Sequence, residues 1–231
     1  MGLTKVETRL KIHREYPSKY QIQEFWLAFV KHNCKRVLDA GCGIGWFGKF
    51  RPARTKVYGI DYNFEEAKIA SKHEISVVGD IRNLPYQNDV FDGIFCHHVL
   101  EHLEEPEKAL NEFFRVIKDG GIVIVEVPSK WDPNAYRDST HKQFFTIESL
   151  SRIFEESGFK ILSGYYCALE IKSIKNRFLY EILKLVGRGL VKIIKKRRRA
   201  IRIYAQKIKK GAASEILASI FKKRRNIKSH N

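Results

Sequence analysis

Short apolar runs alternate with stretches of helical periodicity through the first two thirds of the chain. The runs are VLDA at residues 37–40, KVYGID at 56–61, ISVV at 75–78, FDGIF at 91–95, and a fifth that follows the Gly120–Gly121 turn and ends at Pro128. Runs of this length predict buried strands. Their alternation with helices predicts an α/β fold with a mostly parallel sheet, which binds ligands at the carboxyl ends of its strands.

The two flanks of this pattern predict further elements. Apolar residues at helical spacing predict a leading helix over residues 20–31, and a helix over Ile147–Ser157 precedes a strand that begins near Phe159. Residues 214–221, SEILASIF, are expected to form the last strand, antiparallel to the strand near Phe159. A short helix is the alternative for residues 214–221, because so short a run shows no decisive periodicity.

The first apolar run leads directly into a glycine-rich stretch. Glycines stand at positions 41, 43, 45 and 48, where they permit positive φ and let a ligand approach backbone N–H groups. Gly43, Gly45 and Gly48 satisfy GxGxxG, so the loop alone is compatible with NAD, with another adenosine cofactor, or with a merely structural turn. A phosphate-binding P-loop is excluded because Phe50, not Ser or Thr, follows Lys49.

Acidic residues end the second and third apolar runs. Asp61 lies 20 residues beyond Gly41, a position from which a carboxylate can accept hydrogen bonds from both ribose hydroxyls of an adenosine. Asp80 could accept from the adenine amino group while Ile81 packs against the ring. Any single aspartate of this kind could equally be a helix cap. Their succession in register favours a cofactor site.

Four segments carry a family resemblance; in chain order they are VLDAGCGIG, GIDYN, GDIRNLPYQNDVFDGIFCHHVLEHL and RVIKDGG. Over residues 33–163 they resemble the class I S-adenosylmethionine-dependent methyltransferases, especially the ubiquinone and menaquinone (type 11) branch. The resemblance implies a Rossmann-like sheet with an antiparallel last strand, helices on both faces, and S-adenosylmethionine as cofactor. It implies that the glycine loop supports the methionine part, that Asp39 orients either the loop or the amino-acid moiety of the cofactor, and that Cys96 and His97 lie near the transferred methyl. The expected cofactor-binding residues are Asp39, Gly41, Cys42, Gly43, Gly45, Asp61, Tyr62, Asp80, Ile81, Cys96 and His97.

Methyl transfer from a sulfonium requires mainly alignment and exclusion of water, but a hydroxyl acceptor benefits from a base. Histidines titrate near neutral pH, and His97 and His141 are the candidate catalytic residues. His98 could simply begin a helix, and His102 in the EHL motif is expected to be structural. His141 lies in DPNAYRDSTHKQFFT, which resembles methyltransferases of glycan and lipid-linked sugar pathways. Its alternative role is packing on Phe144.

The residues after the fourth run disfavour some acceptors. No Asn or Asp followed by Pro-Pro-aromatic stands there, and Phe95, not Pro, precedes Cys96, so methylation of exocyclic base amines and of cytosine C5 is not expected. Hydroxyl or carbon acceptors on a lipid, a lipid-linked sugar or another small molecule remain. The four cysteines form no CxxC pair, so neither a disulfide framework nor a metal site is expected. No apolar signal or bilayer-spanning run is visible, which predicts a cytoplasmic body.

The positive charge is concentrated at one end of the chain. Residues 171–231 contain 20 of the 43 Lys and Arg residues but 2 of the 26 Asp and Glu residues, so this part carries +18 while residues 1–170 carry −1. We therefore expect a methyltransferase domain over residues 1–170, with a cofactor half at 33–128 and an acceptor side at 129–170. A basic amphipathic helical segment at 171–211 and a last strand with a basic tail at 212–231 would follow.

The expected basic helix has a cationic stripe of Lys184, Arg188, Lys192 and Lys196 beside an apolar one. Such a segment favours peripheral contact with an anionic membrane over RNA, because it contains few aromatic residues for base stacking. A helix packed on the body with a solvated basic face is a third interpretation. The alternative functions are an RNA-binding or RNA-modifying protein and an NAD-dependent oxidoreductase; the latter lacks a visible hydride-transfer constellation. The oligomeric state is open.

Overall fold

The computed structural model describes Pro17 and residues 19–168 and 198–208. Five α-helices lie in these ranges: α1 Lys19–Lys31, α2 Trp46–Lys49, α3 Phe64–Ala70, α4 Pro106–Val116 and α5 Ile147–Glu156. The strands are β1 Arg36–Ala40, β2 Lys56–Asp61, β3 Ile75–Val78, β4 Phe91–His97, β5 Ile117–Pro128, β6 Phe159–Ala168 and β7 Arg198–Lys207. Two 3₁₀ turns span Leu100–His102 and Pro133–Tyr136.

The strands form one seven-stranded sheet in the order β3-β2-β1-β4-β5-β7-β6. Strands β1 to β5 pair in parallel, and β7 runs antiparallel to both β5 and β6. This arrangement confirms the predicted fold class. The strands β1 to β5 all end at one side of the sheet, here called the carboxyl edge. Because β6 is antiparallel to β7, it also ends there, and β7 begins there.

The last strand differs from the sequence prediction. The place between β5 and β6 belongs to residues 198–207, not to residues 214–221, which lie outside the described part of the chain. The expected basic helix over 171–211 therefore does not continue through 198–207. The physical reason is alternation. Ile201, Ile203 and Ala205 are fully buried on one face of the strand, and the polar or bulky residues between them point to the other face, which is the period of a strand. The connection between β6 and β7, residues 169–197, lies outside the described residues.

The sheet has a different hydrophobic layer on each face. On one face, α1 buries Ile22, Phe25, Trp26 and Phe29 against β1, β4 and β5, and the Phe47 ring stacks on both Trp26 and Phe95 at centroid distances of 4.1 Å. The opposite face packs against α4 and α5 and forms the larger cluster. Within the described ranges, no helix is long and apolar enough to cross a bilayer.

Local hydrogen bonds define where the helices beside the carboxyl edge begin. The Asn63 side chain caps α3 by accepting from the N–H groups of Glu65 and Glu66. Thr146 caps α5 through a reciprocal pair of bonds with Ser149. Such caps satisfy N–H groups that the first helical turn leaves unpaired. They position the loops that precede both helices against the edge of the sheet.

Candidate active site

The glycine loop between β1 and α2 crosses the carboxyl edge beside the end of β2. Gly41, Gly43 and Gly45 have φ values of 79°, 51° and 75°, a region that L-residues rarely adopt. A Cβ on Gly41 would collide with the side chain of Val99. The N–H groups of Gly41 and Cys42 donate to the Ile60 carbonyl at 2.8 and 3.0 Å. The backbone of the loop is thereby held close to the ends of β2 and β4.

Asp61 connects the end of β2 to this loop. Its carboxylate accepts from the Gly43 N–H and from the Asn63 N–H, both at 2.9 Å, and the residue is 7% exposed. A carboxylate offers about four acceptor positions, so two remain for hydroxyl groups. An acidic end of β2 beside a glycine turn with positive φ fits the ribose of an adenosine cofactor. The structure thus brings Asp61 together with Gly41, Gly43 and Gly45.

Buried acids lie beneath the loop. Burial raises the pKa of Asp39 well above its ordinary value, and the neighbouring Glu74 and Asp61 carboxylates raise it further. Burial also raises the pKa of Glu74 to about 7, and it raises the pKa of the Cys42 thiol. Both Glu74 oxygens lie where Cβ atoms of Gly48 and Gly59 would be, which explains glycine at those two positions. No sequence pattern points to Glu74, because a single glutamate before a strand carries no signal.

The expected cofactor-binding residues Tyr62, Asp80 and Ile81 differ in exposure and in hydrogen bonding. Ile81 is buried at 5% exposure, whereas Tyr62 is largely exposed. Asp80 accepts from the Arg82 Nε and Nη2 and from the Arg82 N–H. These contacts with Arg82 lower the pKa of Asp80. The Asp80 carboxylate is thus ionised and already partnered, and an adenine amino group would share it with Arg82.

Cys96 and His97 lie on opposite faces of β4, as alternation along a strand requires. The Cys96 side chain is fully buried in the larger core cluster, so its thiol points away from the α1 face, and only its backbone lies along the edge. The His97 ring lies on the α1 face, 5.8 Å from the Phe95 ring and 6.1 Å from the Phe25 ring. His97 and not the Cys96 side chain therefore contributes to the surface where an acceptor would lie.

His97 begins a row of polar side chains that crosses four strands. Register pairs His97 with Glu126, Glu126 with Arg202, and Arg202 with Tyr165. The His97 Nε2 lies 3.5 Å from Glu126 Oε1, Arg202 Nε donates to Glu126 Oε2 at 2.6 Å, and Arg202 Nη1 donates to the Tyr165 hydroxyl at 3.3 Å. The Arg202 guanidinium also lies 4.2 Å from the Phe25 ring centroid. We call these four residues, His97, Glu126, Arg202 and Tyr165, the polar row.

Electrostatics give the polar row a defined charge state. Burial alone would raise the pKa of Glu126, but the His97 hydrogen bond and the Arg202 charge together hold it well below its ordinary value. Burial lowers the pKa of His97, and the neighbouring His98 lowers it further. His97 is therefore neutral near pH 7, beside an ionised Glu126. With its Nε2 proton facing Glu126, its Nδ1 carries the lone pair.

His98 marks the end of β4 with an unusual backbone. Its φ is 55°, although it is not glycine, and its N–H donates to the Glu126 carbonyl at 2.9 Å. A non-glycine residue in this region carries backbone strain of roughly 1 kcal/mol or more, and such strain concentrates at functional sites. His98 Nδ1 lies 3.3 Å from Glu101 Oε1. The strand end is thereby joined to the following 3₁₀ turn.

His141 does not lie with His97. Its Nδ1 donates to the Ala135 carbonyl at 2.7 Å, and its ring lies 4.8 Å from that of His102, beside Glu101. His141 is the alternative packing partner expected for Phe144, but the Phe144 ring stacks on Tyr136 at a centroid distance of 4.4 Å and the His141 ring lies against that of His102. Two histidine groups result, one on β4 and one between the 3₁₀ turn and the loop before α5. The sequence did not predict Glu126 or Arg202, since Glu126 interrupts an apolar run and Arg202 follows a cationic run.

Comparisons with known proteins identify the family of the chain. Residues 12–163 match a family model described as a methyltransferase domain. An uncharacterized protein of Methanocaldococcus jannaschii is 29% identical over 197 residues, 80% of this chain and 86% of that protein. A malonyl-[acyl-carrier protein] O-methyltransferase of Hamiltonella defensa is 34% identical over 92 residues, 38% of this chain and 36% of that protein.

Solved structures share the fold. A SAM-dependent methyltransferase from Archaeoglobus fulgidus superimposes with a TM-score of 0.66 at 22% identity, over 87% of this chain and 99% of that chain. The family match covers the glycine loop, Asp61 and β4 together. S-adenosylmethionine is accordingly the cofactor of this fold, and the predicted enzyme class is confirmed. The chain belongs to the methyltransferase-domain family and is a class I S-adenosylmethionine-dependent methyltransferase.

Proposed function

We propose that this methyltransferase methylates a hydroxyl group on a small-molecule or lipid-linked acceptor that approaches from a membrane surface, with His97 as the base. The observation that carries the proposal is the polar row, which holds a neutral imidazole next to an ionised carboxylate at the carboxyl edge. A general base should have its lone pair available near neutral pH. His97 meets this requirement.

The described residues support a simple division of labour. S-adenosylmethionine, when bound, supplies a methyl group already activated by its sulfonium. Asp61 and the glycine loop would hold the ribose and methionine parts, with Asp39 beneath the loop. His97 Nδ1 would take the proton of the acceptor hydroxyl as the new oxygen–carbon bond forms. Glu126 would hold the Nε2 proton and stabilise the imidazolium, and Arg202 would keep Glu126 ionised and oriented.

Water exclusion is the second requirement of the reaction. Phe25 covers the polar row from α1, where it lies against both the His97 ring and the Arg202 guanidinium. Glu24 on the same helix reaches Arg202 Nη1 at 3.4 Å. The leading helix thus closes one side of the region over β4, β5 and β7. An acceptor bound there would meet an apolar wall and a single basic nitrogen.

The edge of the sheet supports a membrane approach. Residues 169–197 connect β6 to β7 and contain nine Lys and Arg residues but two Glu residues. Their attachment points are at the carboxyl edge, because Ala168 pairs with Arg198 and the Ser129 N–H donates to the Arg199 carbonyl. Trp131 is exposed nearby, with the Lys130 ammonium 4.7 Å from its ring. Basic residues near an anionic surface contribute roughly 1 kcal/mol each.

One group of relatives is named for methyl transfer to oxygen. The Hamiltonella protein is described as an O-methyltransferase that acts on malonyl-[acyl-carrier protein], but only about a third of either chain is shared with it. That overlap supports methyl transfer to oxygen and does not extend to its acceptor.

Tritium transfer from methyl-labelled S-adenosylmethionine tests the proposal. The protein is incubated with vesicles of a total lipid extract and, separately, with total RNA from the same cells. We expect label in the lipid fraction, with more label when phosphatidylglycerol is added to phosphatidylcholine carrier vesicles. His97→Asn should reduce the rate by about 10²- to 10⁴-fold, the usual contribution of a general base. S-adenosylhomocysteine affinity should change much less than the rate.

His32→Asn is the matched control, because His32 is exposed at the end of α1. Label in RNA alone would replace the lipid acceptor with a nucleic acid. A rate that His97→Asn leaves intact, with label in lipid, would favour a carbon acceptor or unassisted transfer and remove the base from the mechanism.

A further inference from the structure

A second histidine cluster adjoins the polar row through His98, whose ring lies 4.3 Å from that of His97 and whose Nδ1 lies 3.3 Å from Glu101 Oε1. It contains Glu101 and His102 from the 3₁₀ turn after β4 and His141 from the loop before α5. One ligand atom from each of the three residues lies within 4.8 Å of the others. The backbone carbonyl of Glu101 accepts from the N–H groups of Lys142 and Gln143 at 2.7 and 3.0 Å, which holds the loop against the turn. The cluster therefore rests on a hydrogen-bonded frame.

Hydrogen bonds assign the tautomer of each ring. A carbonyl only accepts, so His141 Nδ1 must donate its proton to Ala135 at 2.7 Å. Thr140 Oγ1 donates to Asp138 Oδ1 at 2.5 Å, and it lies 2.9 Å from His102 Nδ1. Its single proton is used on Asp138, so His102 Nδ1 is the donor to Thr140. In neutral rings of this kind the Nε2 atoms of both histidines carry lone pairs.

Histidines that bind a metal ion are oriented by the same kind of hydrogen bond, made by the ring nitrogen that does not bind the metal. Such residues donate their second ring N–H to a backbone carbonyl, a carboxylate or another acceptor, which orients the ring and raises its basicity. His141 donates to a carbonyl, and His102 donates to a hydroxyl that is itself bonded to a carboxylate. These bonds leave a lone pair on the Nε2 atom of each ring, and the Nε2 atom of His141 also lies 3.7 Å from Asp138 Oδ2.

The burial of Glu101 is a second indication of a bound cation, separate from the hydrogen bonds of the histidines. The residue is 1% exposed, and neither carboxylate oxygen has a hydrogen-bond partner among the described residues. His98 Nδ1 lies 3.3 Å from Oε1 but lacks the alignment of a hydrogen bond. A buried carboxylate without compensation is costly. The comparable buried residue Glu126 differs, because Arg202 neutralises it at 2.6 Å.

We infer that Glu101, His102 and His141 bind a divalent transition-metal ion of the zinc type. Two imidazoles and one carboxylate are an established ligand set for such ions, and three protein ligands leave a fourth position open. Ligand atoms around a zinc ion lie roughly 3.4 Å apart, so closure from 4.8 Å requires side-chain shifts on the order of 1 Å. The ion would join the turn after β4 to the loop before α5. This inference does not depend on the proposed acceptor.

Zinc titration of the full-length chain tests the site. The protein is freed of metal with a chelator and then titrated with Zn²⁺ against a chromophoric competitor. We expect one tight equivalent. His102→Gln and His141→Gln should each weaken it by roughly 100-fold or more, and Thr140→Val, which removes the His102 orienting bond, should weaken it by about 10- to 100-fold. His32→Gln, at an exposed histidine, should leave it unchanged.

Thermal unfolding separates metal binding from a structural role of the cluster. Zn²⁺ should raise the unfolding midpoint of the wild type but not that of Glu101→Gln. Without metal, Glu101→Gln should unfold at the wild-type temperature or above, because the substitution removes a buried charge. Retained S-adenosylhomocysteine binding shows that each variant is folded. Wild-type protein that does not compete for Zn²⁺, or variants that bind it as tightly as wild type, would overturn the inference.

Discussion

Glu74→Gln removes a carboxylate that the fold buries beneath the glycine loop. Glu74 is 8% exposed, and neither of its side-chain oxygens has a hydrogen-bond partner among the described residues. Glutamine has nearly the same size and shape, so the change mainly removes charge. It also relieves Asp39, whose pKa is raised in part by the Glu74 carboxylate. We expect the variant to be more stable than the wild type at alkaline pH.

The magnitude follows from the pKa of Glu74. Burial raises this pKa from 4.5 to about 7. A shift of this size corresponds to about 3 kcal/mol. Because the folded state holds the proton more tightly than the unfolded state, the wild type gains stability as the pH falls from about 7 towards 4.5 and loses it as the pH rises. The penalty is complete above pH 7, where Glu74 is ionised in both states.

Thermal or urea unfolding at pH 8 and pH 5 measures this effect. At pH 8 the variant should exceed the wild type by up to about 3 kcal/mol, and at about 2 to 4 °C per kcal/mol its midpoint should be about 6 to 12 °C higher. At pH 5 the two should nearly coincide. Glu155→Gln, at an exposed position of α5, is the control and should show no such pH-dependent difference. A Glu74→Gln protein that is equal to or less stable than the wild type at pH 8 would show that the buried carboxylate does not destabilise the fold.

Three further changes test other parts of the site. Asp61→Asn should weaken S-adenosylhomocysteine binding by about 10- to 100-fold in a calorimetric titration, since it removes charge-assisted hydrogen bonds worth roughly 1.5 to 3 kcal/mol; unchanged affinity would place the ribose elsewhere. Gly41→Ala should lower the free energy of unfolding in urea by at least about 1 kcal/mol, because the φ of 79° and the Val99 side chain both oppose a Cβ. Adding Val99→Ala should restore only part of the loss, since the strain of the positive φ remains. Arg202→Met should lower the free energy of unfolding by about 3 to 5 kcal/mol in the same assay, because it leaves Glu126 buried and unpaired. Adding Glu126→Gln should recover most of this loss. No recovery would show that the loss comes from packing and not from charge.

The parallel strands and the cofactor loop follow from local pattern. Apolar runs that end in Asp61 and in the His97 region lie in strands that stop together, since parallel strands in an α/β sheet share a carboxyl edge. The glycines at 41, 43 and 45 were readable because positive φ restricts residue choice. The leading helix was predicted to within one residue of Lys19, because its buried aromatic residues recur at helical spacing.

The residues that the sequence did not reveal depend on long-range pairing. Glu126 and Arg202 are 76 positions apart, and only the insertion of β7 between β5 and β6 brings them together. The prediction of 214–221 as the last strand was made because the cationic run ending at Arg199 was interpreted as helical. The alternation of apolar residues from Ile201 to Ala205 indicates a strand, but it is a weaker pattern than the run of five cationic residues that precedes it. Nothing in the sequence singles out Glu74, and Glu101 stands in the EHL motif without a sign that its side chain is buried.

The most direct test of the account is a crystal structure of the protein with S-adenosylhomocysteine. We expect the ribose hydroxyls on the Asp61 carboxylate, the amino-acid part against the Gly41–Gly45 loop, and the sulfur on the side of the site that faces His97. Cofactor bound away from this loop, or a ribose without contact to Asp61, would contradict the assignment of the carboxyl edge as the active site.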